Sequence, residues 1–217
     1  DGTADVYKDL SVNVVHDLEK QGARSHPAFP ELLGTGLRGK KKRFETVADN
    51  LGIDFVHREN KFNDFKEEVL LPHRMSQHGP ALAVADFTGD GRDDVFIGGT
   101  AGQAAAVYVQ TAEGRFERTN QPDLQQHLGT EDVSAEALDA DRDGDMDLYV
   151  CSGDAGQGSG SPFLQDRLYV NENGGLRDAT GLLPKMLMAS GAAKAADADK
   201  DGNPDIFVAG RHIPGRY

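Results

Sequence analysis

The sequence has no tryptophan, only one cysteine and an aromatic content of 7%. Cys151 cannot form a disulfide within the chain, so we expect a small buried residue, and cysteine usage leaves the compartment open. Basic residues are also scarce, because 23 Lys and Arg stand against 36 Asp and Glu to give a net charge of −13. This balance argues against nucleic acid as a partner, since binding phosphates requires a basic surface.

Long apolar runs and a signal peptide are also missing, so we expect no direct insertion into a membrane. The chain does not begin with methionine, and we therefore expect a segment of a longer protein. Extended helical periodicity is hard to find, whereas glycine is abundant at 26 residues. These features predict an all-β architecture with many turns.

What the chain does have is one acidic nine-residue pattern written three times, at residues 86–94, 139–147 and 197–205. Oxygen-bearing side chains occupy positions 1, 3, 5 and 9 of each segment, and glycine occupies position 6. Carboxylates this close repel one another unless a hard cation lies among them, and Ca²⁺ takes six to eight oxygen ligands. We therefore predict up to three Ca²⁺ ions, one per loop, whereas the plainer alternative is an acidic hairpin that is only solvated.

The predicted ligands are the side chains at positions 1, 3, 5 and 9 together with the backbone carbonyl at position 7. Because Thr88 is a weaker ligand than aspartate, we expect the first site to be the weakest. The full set is Asp86, Thr88, Asp90, Arg92 and Asp94, then Asp139, Asp141, Asp143, Asp145 and Asp147, then Asp197, Asp199, Asp201, Asn203 and Asp205, with Arg92, Asp145 and Asn203 at position 7.

An EF-hand begins with a similar loop, but its position 12 is a bidentate glutamate. Here position 12 is Ile97, Val150 or Val208, and none of these binds a metal. The segments after the loops are short β-branched or aromatic runs that reach a glycine, which is typical of strands. We therefore predict that each loop joins two strands and that Gly98, Gly153 and Gly210 mark the ends of the second strands.

The spacing of the loops predicts a repeating unit, since 139 − 86 is 53 residues and 197 − 139 is 58. Each complete period contains four candidate strands, which is typical of a β-propeller blade. We predict two full blades plus pieces, with open edges that pair with further blades or with another copy of the chain. The predicted strands are 42–47 from an earlier blade, 81–85, 94–97, 106–110 and 115–119 in the first period, 134–138, 147–150, 167–170 and 175–179 in the second, and two strands in the third.

The loops and the segment Asp166–Thr180 resemble the FG-GAP/VCBS repeats of integrin α-chain propellers and of secreted bacterial proteins, although Leu176 replaces the usual aromatic residue. The opening segment 1–13 resembles the end of an ASPIC/UnbV segment, as in proteins similar to cartilage acidic protein. These resemblances imply an ASPIC/UnbV-like end at 1–20, a linker at 21–39 and propeller blades at 40–217.

The resemblance also implies an extracellular or cell-surface module in which Ca²⁺ stabilises each blade and the module recognises a protein or glycan, as in adhesion. We predict no enzymatic activity, because the sequence shows no nucleophile motif. Two alternatives stay open at this point. One is a calcium-dependent enzyme domain that acts on polysaccharide, and the other is a purely structural spacer in a large surface protein.

Overall fold

The computed structural model describes residues 47–71, 73–154 and 156–214. The predicted ASPIC/UnbV-like segment, the linker, the domain boundary at residue 40 and all but the last residue of the strand 42–47 lie outside these residues. Val47 itself directly precedes the short helix α1, Ala48–Leu51, and a second short helix, α2, spans Asp64–Glu67. None of the described helices is long and apolar enough to cross a membrane.

Nearly all remaining regular structure is antiparallel β-sheet, which confirms the predicted all-β class. Two sheets have four strands each in simple sequential order, and a third pair of strands follows them. This is the arrangement of two complete propeller blades and half of a third. The strands are β1 Leu82–Ala85, β2 Asp94–Ile97, β3 Ala106–Gln110 and β4 Phe116–Arg118 in the first sheet, β5 Asp132–Leu138, β6 Asp147–Ser152, β7 Arg167–Glu172 and β8 Gly175–Asp178 in the second, and β9 Ala189–Ala196 with β10 Asp205–His212 in the third.

Several strand boundaries differ from the sequence prediction by one or two residues, and the differences in β5 and β10 have clear causes. Strand β5 begins at Asp132, because the chain already pairs there with Ser152. Strand β10 continues through Gly210 to His212, so Gly210 does not end the strand as predicted. The register with β9 shifts at Gly210, and glycine within a strand is typical of such irregularities because it has no side chain to place.

Successive sheets pack through apolar side chains on facing surfaces. One cluster joins the first sheet to the second, with Phe87, Phe96 and Val107 against Leu148 and Tyr169. Every residue of β6 is buried, because its two faces contribute to two different clusters. The second cluster joins the second sheet to the strand pair and includes Leu138, Tyr149, Cys151, Leu168, Ala193, Ile206 and Val208. Cys151 is buried, as expected.

Short 3-10 segments form part of the connections at the end of the strands opposite the acidic loops. They span Asp123–His127 before β5, Pro162–Leu164 between β6 and β7, and Thr180–Leu182 after β8. The acidic loops join β5 to β6 and β9 to β10 at the other end of the strands. The acidic loops and the longer connections therefore lie at opposite ends of the sheets.

Candidate metal centres

Each acidic segment forms the turn between the first and second strands of its sheet, as predicted. The first loop joins β1 to β2, the second joins β5 to β6, and the third joins β9 to β10. The residue just before position 1 pairs with position 9 across the two strands, with Ala85 opposite Asp94 and Leu138 opposite Asp147. Strand pairing therefore brings positions 1 and 9 of each loop close together.

The carboxylates at positions 1 and 9 hold the loops through the same backbone hydrogen bonds in all three copies. Position 1 accepts from the backbone N–H of the glycine at position 6, and position 9 accepts from the N–H at position 2. The first set comprises Gly91 to Asp86 at 2.7 Å, Gly144 to Asp139 at 3.2 Å and Gly202 to Asp197 at 3.1 Å, and the second comprises Phe87 to Asp94 at 3.0 Å, Ala140 to Asp147 at 2.7 Å and Ala198 to Asp205 at 2.9 Å.

In the two complete sheets, the aspartate at position 9 also binds the third strand. Asp94 accepts from the N–H of Gln110 at 2.9 Å, and Asp147 accepts from the N–H of Asn171 at 2.7 Å. Both carboxylates are fully buried, and burial raises the pKa of Asp147 although the backbone N–H groups of Asn171 and Ala140 donate to it. Position 9 is therefore a structural anchor as well as a candidate ligand.

The turns use left-handed backbone at two positions. The glycines at position 6 have φ between 84° and 98°, which glycine adopts without strain. Position 4 is also left-handed, at 71° for Gly89, 64° for Arg142 and 65° for Lys200. Sequence reasoning missed this second position, because glycine indicates it in the first loop alone and the other loops place a strained non-glycine residue there.

Two groups of carboxylates lie close enough to hold a cation. Asp139, Asp141 and Asp147 each offer an oxygen within 4.8 Å of the others, and Asp197, Asp199 and Asp205 do the same in the third loop. Both triads take positions 1, 3 and 9. Their all-oxygen donor set suits a hard cation such as Ca²⁺ better than a transition metal.

Position 5 lies outside both triads in this structure. Its carboxylate accepts instead from the backbone N–H at position 7, at 2.9 Å for Asp90 and Arg92, 3.1 Å for Asp143 and Asp145, and 2.7 Å for Asp201 and Asn203. The structure thus brings together three of the four predicted side-chain ligands in the second and third loops.

The first loop has a different set of polar contacts. Thr88 occupies position 3, and its hydroxyl donates to Asp94 at 3.3 Å and to Asp86 at 3.4 Å. Asp90 forms an ion pair with the guanidinium of Arg92. Two carboxylates and a hydroxyl therefore face one another where the other loops have three carboxylates.

The second loop contains two buried carboxylate oxygens that no donor compensates. Asp139 Oδ1 and Asp145 Oδ1 are buried and have no hydrogen-bond partner among the described residues. Burial and the neighbouring Asp143 raise the pKa of Asp145 to about 6. In the third loop, by contrast, Asn203 donates to Asp201 at 2.7 Å, and its backbone and side-chain hydrogen bonds lower the pKa of Asp201. The buried oxygens of the second loop are therefore acceptors that a cation could satisfy.

The stretch from the start of the first loop to the middle of β6 contains the first and second loops. Residues 86–150 match the profile of the FG-GAP-like repeat. The match supports the resemblance seen in the sequence and covers the unit that recurs along the chain, namely loop, strands and next loop. The comparison with proteins of curated function finds no match to this chain.

Asn171 is a further site residue that the sequence did not single out. This buried residue of β7 donates through Nδ2 to the carbonyl of Phe87 at 2.8 Å, while its backbone N–H donates to Asp147. It therefore joins the FG-GAP-like loop of the first sheet to that of the second. The only sequence signal was the Asn-Glu-Asn-Gly-Gly segment at 171–175, which joins the end of β7 to β8 and indicates a hairpin and not a contact between loops.

Proposed function

We propose that this chain is a calcium-binding β-propeller module of a secreted or cell-surface protein and that it acts in recognition of a protein or glycan. The observation that supports it most is the Asp139, Asp141 and Asp147 triad, which places three carboxylates together beside a buried, unpartnered oxygen of Asp139. The match of residues 86–150 to the FG-GAP-like repeat supports the same assignment, because these repeats are typical of extracellular calcium-binding propellers.

In this proposal Ca²⁺ stabilises the turn between the first two strands of a blade. The ion would bind the carboxylates at positions 1, 3 and 9, and the loop would supply further oxygens from the position 5 carboxylate and the position 7 carbonyl. Since the unfolded chain does not hold these groups together, the free energy of binding adds to the free energy of unfolding. Recognition would then use surfaces away from the loops, and no reaction is assigned to the chain.

Thermal unfolding with and without Ca²⁺ tests the proposal. With Ca²⁺ at about one hundred times Kd, one site adds about 2.7 kcal/mol, which raises Tm by roughly 5–10 °C in a chain of this size. The double variant D139N/D141N should lose a large part of this increase, because it removes two carboxylates of one triad. Asp93→Asn is the matched control, since Asp93 is exposed and lies at loop position 8.

An unchanged Tm on adding EGTA to the calcium-loaded chain would overturn the calcium assignment. Turnover of a polysaccharide by the purified chain would instead favour the enzyme hypothesis over recognition.

A further inference from the structure

A cavity of about 480 Å³ lies beside the second sheet, at the end of the strands opposite the acidic loops. Three connections line it: the stretch around Asp123–His127 before β5, the stretch 160–165 before β7, and the stretch 180–187 before β9. Its volume falls within the range of small-molecule sites, and loops on a rigid sheet are a common setting for them.

Two residues that line this cavity each have a buried polar atom without a hydrogen-bond partner among the described residues, namely Nε of Arg167 and Oγ1 of Thr180. Arg167 is only 3% exposed, and its other nitrogens already contact Asp132, Ser152 and Tyr169. A buried donor without an acceptor costs free energy, so a ligand oxygen that accepts from Nε would recover it.

Phe163 presents an aromatic ring at the same cavity and is 45% exposed. The ring rests on the backbone of Gly129, where an added Cβ would come within 2.3 Å of a ring carbon. The backbone N–H of Phe163 donates to Ser161 Oγ at 3.3 Å, which fixes the segment that carries the ring. The ring is therefore held in place before any ligand binds, which lowers the entropic cost of stacking on it.

The lining of the cavity lacks the acidic residues that are abundant in the rest of the chain. None of the residues that line it is Asp or Glu, although the chain has 36 of these and a net charge of −13. Arg167 and Lys185 contribute positive charge. Burial by itself would lower the pKa of Arg167, but the ion pair with Asp132 raises it overall, so the guanidinium stays charged. Because Asp132 balances the charge of Arg167, Lys185 is the lining cation that is left to attract an acidic group of a ligand.

We propose that this cavity binds a carboxylated sugar, such as a hexuronate unit of an acidic polysaccharide. The C–H face of a pyranose ring stacks on Phe163, its oxygens accept from Arg167 Nε and Thr180 Oγ1, and its carboxylate pairs with Lys185. A neutral sugar or a neutral peptide fits less well, because neither offers an anionic group to Lys185. The inference rests on the proposed recognition role of the module and does not require an ion in the loops.

Calorimetric titration of the 217-residue chain with β-1,4-linked tetraglucuronate, and with cellotetraose as its neutral counterpart, tests the proposal. We expect the acidic sugar to bind at least about tenfold more tightly than the neutral one. Phe163→Ala should weaken binding of both sugars by about tenfold, and Lys185→Gln should remove most of the preference for the acidic sugar. Gly129→Ala should weaken binding several-fold without touching the ligand, because it displaces the ring.

Phe207→Ala and Lys66→Gln are the matched controls, since both residues are exposed and lie outside the cavity. Both should bind like the parent chain. Thermal unfolding of each variant verifies that it folds.

Absence of tetraglucuronate binding up to about 10 mM, or unchanged binding by Phe163→Ala, would overturn the proposal. Equal affinity for cellotetraose would overturn the carboxylate assignment, and tighter binding of tetraglutamate would identify a peptide site instead. If the sugar does not bind but Ca²⁺ raises Tm as expected, the cavity proposal alone is rejected. If the sugar binds but Ca²⁺ does not change Tm, the calcium assignment alone is rejected.

Discussion

The second and third loops share one sequence pattern but differ in their surroundings. In the second sheet, β7 covers β6, so Asp147 and Tyr149 are buried. The described part of the third repeat pairs β10 with β9 only, and the corresponding Asp205 and Phe207 are exposed, the latter at 74%. The comparison shows that the loop motif forms its turn without the third strand, while burial of its last carboxylate requires that strand.

Replacing the aspartate at position 9 by alanine should give the largest difference in stability between variants of the second and third loops. Asp147→Ala leaves the backbone N–H groups of Ala140 and Asn171 without their acceptor in a buried site, which costs about 3 kcal/mol. Asp205→Ala removes an exposed carboxylate whose partner, Ala198, is also exposed, and should cost less than about 1 kcal/mol. Urea unfolding in calcium-free buffer measures both. Equal losses would show that the third strand does not determine the role of position 9.

Glu131 is a second buried carboxylate that can be compared with Asp147, because it accepts fewer hydrogen bonds from the backbone. Glu131 is 1% exposed, accepts from the N–H of His78 at 3.1 Å, and has no described partner for Oε2. Burial raises its pKa from 4.5 to about 7, with Asp154 and Glu59 adding to the increase and the His78 N–H and Arg211 opposing it. The folded state therefore binds the proton more tightly than the unfolded state does.

Since the pKa is higher in the folded state, stability falls as the pH rises from about 4.5 to about 7, and ionised Glu131 costs about 3 kcal/mol above that range. Glu131→Gln should raise the free energy of unfolding by about 2 kcal/mol at pH 8 and change it little at pH 4.5. Glu117→Gln is the control, because Glu117 is exposed on β4. A gain of the same size at both pH values would contradict the assignment of the cost to ionisation.

The smallest expected effect concerns position 7, where the second loop has Asp145 and the third has Asn203. Asp145→Asn replaces a carboxylate that faces Asp143 by an amide that can donate to it, as Asn203 donates to Asp201. Without Ca²⁺ at pH 7.5, the variant should be more stable by less than about 1 kcal/mol, because solvent screens much of the repulsion. Chemical denaturation of this variant and of the reciprocal Asn203→Asp, which should lose stability, checks the sign. A loss in Asp145→Asn would contradict it.

The sequence predicted the loops and strands well because both depend on local patterns. Asp and Gly at fixed offsets specify the turn, and the apolar runs beside it specify the strands. The contact of Asn171 with Phe87 was not predictable in this way, because it depends on how two successive sheets pack. The cavity was missed for the same reason, since its lining comes from three connections far apart in sequence. The exposure of Phe207 likewise depends on a neighbouring strand and not on its own segment.

The hydrogen bonds of Asn171 also affect how the first two loops would respond to ions. One residue donates to Asp147 in the second loop and to the carbonyl of Phe87 in the first, so ordering either loop restricts the other. The entropy spent in fixing this residue for the first ion does not have to be spent again for the second. If both loops bind Ca²⁺ as proposed, we expect positive cooperativity between them, and by thermodynamic linkage each ion would increase the affinity of the neighbouring loop by the same factor.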